Sequence, residues 1–344
     1  IPNPQSPIPN PQSPCLNYFM KKIFYKFFTS FNNLLKIRKK YIIKMAESTK
    51  AFNIENKSIT KSVETNSDNI LSICALNDGR IATSTFGEVV IYNLDKNKVD
   101  MVINENIEEV SYLFLMQCGY LFSSACEECI IYEINENSYE IIQKLGGLYG
   151  DTSKALELTN GDIIVLSKGF YVFKRDPAQN QFSLSNSVNY ATFANDAIQS
   201  KENQIAVSIK ENNELIFWEL EKWQIENTIS NINVGPYNNC LYKYDKDNLI
   251  VGGDHIIYII DLNNIIIKQQ LENKYEIFSI CPISDKIFLT TGNEGTITQW
   301  KFEDGSINKQ HEKEKLATEE VLCMKYLDNG KILLGDSKKL VIIE

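Results

Sequence analysis

The chain has 344 residues, of which 43% are hydrophobic and 23% charged, and its formal net charge at pH 7 is −9. This length is sufficient for one large domain or two average domains. Residues 1–44 carry eight basic side chains and no acidic one, so the remaining residues carry 27 basic against 44 acidic side chains, a charge of −17. This acidic excess disfavours binding to nucleic-acid phosphates and favours a basic peptide or a basic protein surface as partner.

The first 44 residues differ in composition from the rest of the chain. Residues 1–14 are a heptapeptide and its repeat with six prolines, which predicts a disordered tail. Residues 15–44 form a basic segment with the pattern of an amphipathic helix. Within this segment, residues 16–44 would suit contact with an anionic membrane surface. Its lysines exclude a transmembrane span and a signal peptide. The apolar face of the pattern comprises Phe19, Ile23, Phe27, Phe31, Leu34 and Leu35.

The sequence Met45-Ala46-Glu47-Ser48 resembles an ordinary protein start, and it leaves three interpretations of the preceding segment open. The segment is a product of upstream translation or of an erroneous gene assignment, a membrane- or organelle-targeting helix, or a partner-binding helix. A chain that begins at Met45 would discriminate among them. Residues 45–58 are interpreted as a linker.

From residue 59 onward, a β-prone run with one aromatic or aliphatic anchor recurs along the chain. Seven anchors follow one another at spacings of 40 to 45 residues. This spacing is typical of a four-stranded propeller blade of ~40–45 residues. The anchors are Tyr92, Tyr132, Phe173, Trp218, Ile260, Trp300 and Ile343.

The seventh repeat stops after its third run at Glu344, whereas Ile59–Val63 is a spare β-prone run upstream of the first complete repeat. Pairing of this spare run with Leu340–Ile343 would cover an otherwise open sheet edge. The sequence therefore predicts an all-β fold, a seven-bladed β-propeller of four-stranded antiparallel blades over residues 59–344. The basic amphipathic helix lies outside this ring in the prediction.

The repeats resemble those of the WD40-type (WD40/YVTN repeat-like) seven-bladed β-propeller family over roughly residues 55–344. Degenerate versions of that family's Trp-Asp ending are Trp218-Glu219, Trp300-Lys301, Tyr92-Asn93 and Tyr132-Glu133. Trp218 and Trp300 are expected in third strands, with their rings packed between neighbouring blades. Trp223 follows a turn and is expected to be more exposed.

The cysteines do not show the pattern of a disulfide framework. Four of them share one parity in the predicted first strands and are interpreted as small buried hydrophobic residues, which favours a reducing, cytoplasmic location. These are Cys74, Cys240, Cys281 and Cys323.

Few residues point to catalysis or to metal binding. Cys126 and Cys129 have the spacing of half a zinc site, but no second pair follows them, so we interpret them as flanking a hairpin turn. Residues 146–150 are glycine-rich but lack the Lys-Ser/Thr ending of a phosphate loop, and we interpret them as a connection between blades. Neither His255 nor His311 has a plausible partner for nucleophilic chemistry. We therefore expect no enzyme, no cofactor and no metal.

Recognition is the function that remains. The turns between second and third strands, together with the connections between blades, should converge at one end of the channel and form an acidic surface with interspersed aromatic residues. Glu108, Glu109 and Asp151 belong to these segments. The predicted partner-binding residues are Phe86, Glu127, Glu128, Tyr149, Tyr190, Tyr237, Asp254, Tyr275, Glu294, Glu319, Glu320 and Asp336.

The sequence thus predicts a non-catalytic scaffold that binds a protein or peptide, with a basic segment as the favoured partner and no nucleic-acid binding by the ring. An overall charge of −17 would make any face acidic, so the acidic surface alone does not decide where the partner binds. The first alternative is an adaptor of a larger assembly, such as a coat, ciliary or ubiquitin-ligase complex, that binds through blade edges. The second is an enzymatic or phosphoinositide-binding propeller, which the absence of clustered site residues and of an Arg-Arg-Gly motif disfavours.

Overall fold

The computed structural model describes residues 52–64, 69–106, 108–190, 192–235, 240–316, 320–337 and 339–344. Within these residues, 28 strands form seven antiparallel sheets of four strands each. The predicted seven-bladed all-β fold is therefore confirmed. The predicted tail, the predicted amphipathic helix and the linker up to Ala51 lie outside the described residues.

The first three blades are meanders in which neighbouring strands follow one another along the chain. Blade 1 contains β2 (Ser72–Ala75), β3 (Ile81–Ser84), β4 (Val89–Asn93) and β5 (Lys98–Ile103). Blade 2 contains β6 (Val110–Leu115), β7 (Leu121–Ala125), β8 (Cys129–Ile134) and β9 (Tyr139–Leu145). Blade 3 contains β10 (Ala155–Glu157), β11 (Ile163–Ser167), β12 (Gly169–Asp176) and β13 (Gln181–Asn189).

The next three blades have the same order. Blade 4 contains β14 (Asp196–Lys201), β15 (Gln204–Ile209), β16 (Glu214–Glu219) and β17 (Gln224–Ser230). Blade 5 contains β18 (Leu241–Lys243), β19 (Asn248–Gly252), β20 (Ile256–Asp261) and β21 (Ile266–Glu272). Blade 6 contains β22 (Ser279–Pro282), β23 (Ile287–Thr291), β24 (Ile297–Glu303) and β25 (Ser306–Lys313).

Blade 7 takes its fourth strand from the beginning of the repeat region. Its first three strands are β26 (Cys323–Tyr326), β27 (Ile332–Gly335) and β28 (Lys339–Ile343), and its outer strand is β1 (Ile59–Glu64). Val63 pairs with Leu340, and Ser58 and Glu344 exchange backbone hydrogen bonds of 3.0 and 3.1 Å. The predicted pairing that closes the ring is confirmed.

Two short 3-10 helices accompany the strands, at Ile54–Asn56 and Asn293–Gly295. The first places the fully buried Ile54 against blade 6, where its backbone N–H donates to Gln299 Oε1 at 2.9 Å. No helix in the described part of the chain has the length and apolar character needed to cross a membrane.

Each anchor of the forty-residue period coincides with a β-bulge between a third and a fourth strand. A bulge adds one unpaired residue and increases the local twist of the sheet. The strong twist that stacks consecutive blades around a channel is therefore introduced once per repeat, at the same place. The register shifts lie at Ile91/Tyr92, Ile131/Tyr132, Val172/Phe173, Phe217/Trp218, Ile259/Ile260 and Gln299/Trp300, and at Ile59/Lys61 of β1 opposite the last anchor.

The hydrophobic core lies between blades rather than within them, because second and third strands are buried on both faces whereas fourth strands are largely exposed. Trp218 packs edge-on against Phe170 of the preceding blade, with ring centroids 5.1 Å apart. The indole N–H of buried Trp300 donates to Thr290 Oγ1 at 2.9 Å. Trp223 is only half-buried in its turn, at φ 53°. The expected placement of the three tryptophans is confirmed.

This packing predicts unequal effects for the tryptophans. Trp300→Ala should lower the free energy of unfolding by about 3–5 kcal/mol, since it removes a fully buried ring and leaves a cavity. Trp223→Ala should have a clearly smaller effect, because its ring is half-exposed and contacts Phe170 from one side. Urea denaturation of the two variants measures the difference. An equal or larger loss at Trp223 would contradict the core described above.

Candidate functional site

The turns between second and third strands and the connections between blades meet at one end of the ring. In blades 1 to 6, a backbone hydrogen bond of 3.0 to 3.4 Å joins each such turn to the connection that leaves its blade. We call this end the connection face. The bonds run from Gly87 N to Glu108 O, Glu127 N to Gly150 O, Tyr190 N to Lys168 O, Ile232 N to Asn213 O, Ile277 N to Gly253 O and Leu316 N to Gly295 O.

Most of the predicted partner-binding residues that the structure describes are accessible on the connection face. Phe86 is 60% and Tyr149 82% exposed, which is unusual for large aromatic side chains. Glu127 and Glu320 are also exposed, and Glu128, Tyr190 and Asp254 are half-buried. Three predicted residues cannot be placed in this way. Tyr237 and Glu319 lie outside the described residues, and so does the side chain of Glu294.

Two predicted residues are buried, so they are corrected. Tyr275 is only 8% exposed, and its hydroxyl donates to Glu314 Oε1 at 2.7 Å. Asp336 is 1% exposed, and its carboxylate accepts the Ser337 backbone N–H at 2.7 Å, as acidic residues often do in turns. The Tyr275 side chain joins its connection to the next one, the Asp336 side chain stabilises its own turn, and neither is available to a partner.

An acidic cluster lies where the segments of blades 1, 2 and 3 meet. One ligand atom from each of Glu108, Cys126 and Asp151 lies within 4.8 Å of the others. The neighbouring carboxylates of Asp151 and Glu108, in that order, raise the pKa of the Cys126 thiol to about 12. Partial burial, and then the charge of Asp151, raise the pKa of Glu109 above its usual value.

Two exposed aromatic residues lie on well-anchored backbone in the segments that carry this cluster. Phe86 forms an isolated β-bridge with Glu109. The Tyr149 N–H donates to the Tyr171 hydroxyl at 2.9 Å, and the Ser167 hydroxyl contacts the Tyr149 carbonyl at 2.8 Å. The turns are therefore held in place although the rings are exposed. We define the acid–aromatic patch as Phe86, Glu108, Glu109, Cys126, Tyr149 and Asp151.

A second acidic group on the connection face is partly neutralised by nearby cations. Burial and then the charges of Asp254 and Glu320 raise the pKa of Glu276, whereas nearby Lys210 lowers it. His255 Nε2 also lies 3.4 Å from an oxygen of Asp254. This group thus contains a lysine among its acidic side chains.

The central channel contains a cavity of about 460 Å³ between the first strands of blades 1, 2, 6 and 7. Lys325 carries the only formal charge among the described residues that line this cavity. Cys74, Cys281 and Cys323 are buried in its wall, and burial raises the pKa of Cys74 and Cys281 to about 11. The expectation that these cysteines are buried hydrophobic residues is confirmed.

A buried ion pair belongs to the wall of the ring. Lys154 Nζ contacts Asp196 Oδ1, and Asp196 Oδ2 accepts the Leu241 backbone N–H at 2.8 Å. Lys154 Nζ also lies over the Tyr112 ring, 5.3 Å from its centroid. Burial opposes the charged form of Lys154, but the Asp196 carboxylate outweighs it and raises the pKa of Lys154. The group links blades 2 to 5 and is closed to solvent.

Sequence reasoning placed Glu108, Glu109 and Asp151 on the connection face but missed the proximity of Glu108 and Asp151 to Cys126. The turn reading of Cys126 and Cys129 is correct, because Cys126 lies in the turn and Cys129 is fully buried at the start of β8. Cys126 thus faces carboxylates of the two adjoining connections rather than its sequence neighbour. The sequence signal for this proximity was that Glu108 and Asp151 are one repeat apart, and therefore lie in successive connections between blades.

The geometry is that of a seven-bladed β-propeller, and solved structures of this fold are similar to it. A chain in a structure titled Crystal Structure of Mitotic Checkpoint Complex is similar to it with a TM-score of 0.70 at 11% identity, covering 83% of this chain and 93% of that one. The WD40 β-propeller domain of Doa1 is similar with a TM-score of 0.67 at 17% identity, covering 84% and 97%. No family model and no curated protein matches the sequence.

Proposed function

We propose that this protein is a non-catalytic interaction scaffold that binds a basic segment of a partner protein through the acid–aromatic patch. The observation that carries the proposal is the exposure of Phe86 and Tyr149 on anchored turns, in the same part of the connection face as three carboxylates. Among the described residues, no Lys or Arg forms an ion pair with Glu108, Glu109 or Asp151. Exposed aromatic residues on rigid backbone are typical anchors of protein interfaces, and they lose little conformational entropy on binding.

The non-catalytic part of the proposal is supported by the surroundings of the titratable groups. Lys154 and Asp196 satisfy each other inside the wall of the ring. His255 pairs with Asp254 and His311 pairs with Glu55, so neither histidine faces a nucleophile among the described residues. We also propose a cytoplasmic location, which agrees with free thiols at all described cysteines.

The adaptor alternative has one observation in its favour. Several fourth strands expose aliphatic side chains to solvent, as at Val99 and Val102 of β5 and Ile266 of β21. Such residues could pack against a subunit that contacts the blade edges. A test of the proposal must therefore separate the connection face from the outer strands.

Matched double variants separate the two surfaces. Phe86→Ala/Tyr149→Ala should reduce binding of the specific partner at least about thirty-fold, since the loss of even one central aromatic anchor costs about 2 kcal/mol. Val99→Ala/Ile266→Ala is the control, with exposed apolar residues truncated on outer strands. Wild type and the two double variants serve as baits in quantitative affinity purification. A protein whose capture differs between the baits is then purified, and its binding to each bait is titrated. Circular dichroism and thermal melting verify the fold.

Loss of binding only in the outer-strand variant would replace the proposal by the adaptor alternative. Full binding in both variants would exclude both surfaces. The salt dependence of the association rate is an independent measurement. Added salt shortens the electrostatic screening length, which is about 8 Å at physiological ionic strength, and so weakens charge attraction at an exposed surface. The salt concentration is raised about sixfold, from roughly 50 to 300 mM. If the association rate does not fall, the proposal of a basic partner segment is contradicted.

A further inference from the structure

The cavity of about 460 Å³ in the central channel has the size of a small-molecule site, for which about 300–1,000 Å³ is usual. The residues that line it belong to the first strands β2, β6, β22 and β26. Each first strand runs from the connection face to the turn that precedes the second strand. The last residues of these four strands therefore lie toward the other end of the channel, away from the acid–aromatic patch.

Apolar side chains line this part of the cavity without being fully buried. Ala75, Leu115 and Pro282 are the last residues of β2, β6 and β22. Ala75 and Leu115 are half-buried, and Pro282 is exposed. Phe114 is also half-buried, and it stacks on Phe122 with ring centroids 4.8 Å apart. Covering such apolar surface is favourable, so this part of the cavity suits the apolar body of a ligand.

Lys325 carries the single formal charge among these lining residues. It is the third of the four residues of β26, the position that Cys74 has in β2 and Cys281 has in β22. Burial raises the pKa of both thiols, and the charge of Lys325 acts on each in the opposite direction, so its ammonium group lies near both neighbouring blades. Lys325 is exposed and forms no ion pair with any residue that the structure describes.

We propose that this cavity binds a small organic molecule that has one carboxylate and an aliphatic body. The carboxylate pairs with the ammonium group of Lys325, as oppositely charged hydrogen-bonding groups do. The aliphatic body packs against the accessible apolar residues of the wall, Ala75, Phe114, Leu115 and Pro282. This site is separate from the acid–aromatic patch and goes beyond the proposed function.

A single negative charge fits the cavity better than several charges do. Lys325 supplies one cation, whereas residues 45–344 carry a charge of −17, which repels a multiply charged anion such as a nucleotide. A metal ion also fits poorly, although three thiols lie in the wall. Each thiol contacts a backbone carbonyl oxygen at 3.4 to 3.7 Å, and the three do not form a metal-ligand group among the described residues. They are Cys74, Cys281 and Cys323.

Calorimetric titration of the full chain with sodium octanoate tests the inference, and octan-1-ol is the matched uncharged probe. The charge variant is Lys325→Met, which keeps a side chain of similar length, and Lys325→Arg keeps the positive charge. The control is Lys174→Met, which removes an exposed lysine of β12 that does not line the cavity. Thermal melting without ligand verifies that each variant is folded.

Octanoate should bind at a single site in wild type, in Lys325→Arg and in the control. Lys325→Met should weaken octanoate binding at least about tenfold, because a hydrogen bond between charged groups is lost. Octan-1-ol should bind wild type more weakly than octanoate does, and it should bind Lys325→Met as well as wild type. Hexanoate should bind more weakly than octanoate, by about fourfold for each CH₂ group that is no longer buried.

The inference is overturned if wild type shows no saturable octanoate binding up to on the order of 1 mM. Octanoate binding that is unchanged in Lys325→Met, or equally reduced in Lys174→Met, would also overturn it. If Lys325→Met does not fold, the two probes on wild type decide, because equal affinities for octan-1-ol and octanoate exclude a carboxylate site. None of these outcomes affects the proposed function, because Phe86 and Tyr149 lie at the other end of the ring.

Discussion

A chain that lacks residues 45–64 is expected to melt more than about 10 °C below the full chain, because a loss of 1 kcal/mol shifts the melting temperature of a domain this large by about 2–4 °C. The deletion removes β1, leaves the outer edge of β28 unpaired and exposes the pocket of the buried Ile54. Unpaired edges also promote association between chains. Calorimetry and light scattering during heating measure the two effects.

Deletion of residues 1–44 is the matched control for this experiment. It removes a longer stretch of chain but no strand of the ring, so the melting temperature should change by only a few degrees. Comparable losses in both deletions would contradict the role of β1 as the strand that closes the ring. A second check is Val63→Pro, which removes a donor from β1 and should act in the same direction as its deletion.

Asp196→Ala is expected to lower the free energy of unfolding as strongly as the loss of the buried Trp300 ring. It removes the carboxylate that pairs with Lys154 and accepts the Leu241 N–H, so a buried ammonium group and a buried N–H both lose a partner. Loss of one partner of a buried ion pair costs about 3–5 kcal/mol. Urea denaturation at neutral pH measures the change in the free energy of unfolding.

Two further variants separate the ion pair from a general loss of packing. Lys154→Met/Asp196→Asn removes both charges but keeps an acceptor for Leu241, and it should restore most of the lost stability. Glu128→Ala breaks the exposed pair with Lys144, whose atoms are 3.2 Å apart, and should cost less than about 1 kcal/mol. A double variant as unstable as Asp196→Ala would show that the charges are not the cause.

The sequence was sufficient for the blade number, because the anchors are fixed by a physical requirement that recurs in every repeat. Each anchor lies at the bulge that twists the outer strands, and its side chain fills the core between two blades, as Trp300 does. The closing strand was also predictable. The seventh repeat lacks a fourth strand, and the chain has one additional β-prone run before the first complete repeat that can supply it. The bulges themselves were not predicted, because a bulge has no residue signature beyond the anchor.

The candidate site was predictable only in part. Turn position places a residue on the connection face, which is correct for Phe86 and Tyr149, but it does not determine the direction of a side chain. Tyr275 is buried and bonds Glu314 of the next connection, whereas Asp336 is buried and accepts a hydrogen bond from its own turn. Lys154 and Asp196 meet across neighbouring blades, and strand alternation alone gives no information about such pairs.

The closure of blade 7 also determines when the ring can be completed during synthesis. β1 is made before all other strands, and its partner β28 is made after them, so β1 must wait with its backbone groups unpaired until the other six blades have been translated. At about 5–20 residues per second, this wait lasts on the order of half a minute. Contacts this distant in sequence form slowly. The junction between blades 7 and 1 is therefore the last part of the ring to form and the place where nascent chains are most exposed to chaperones and to mispairing.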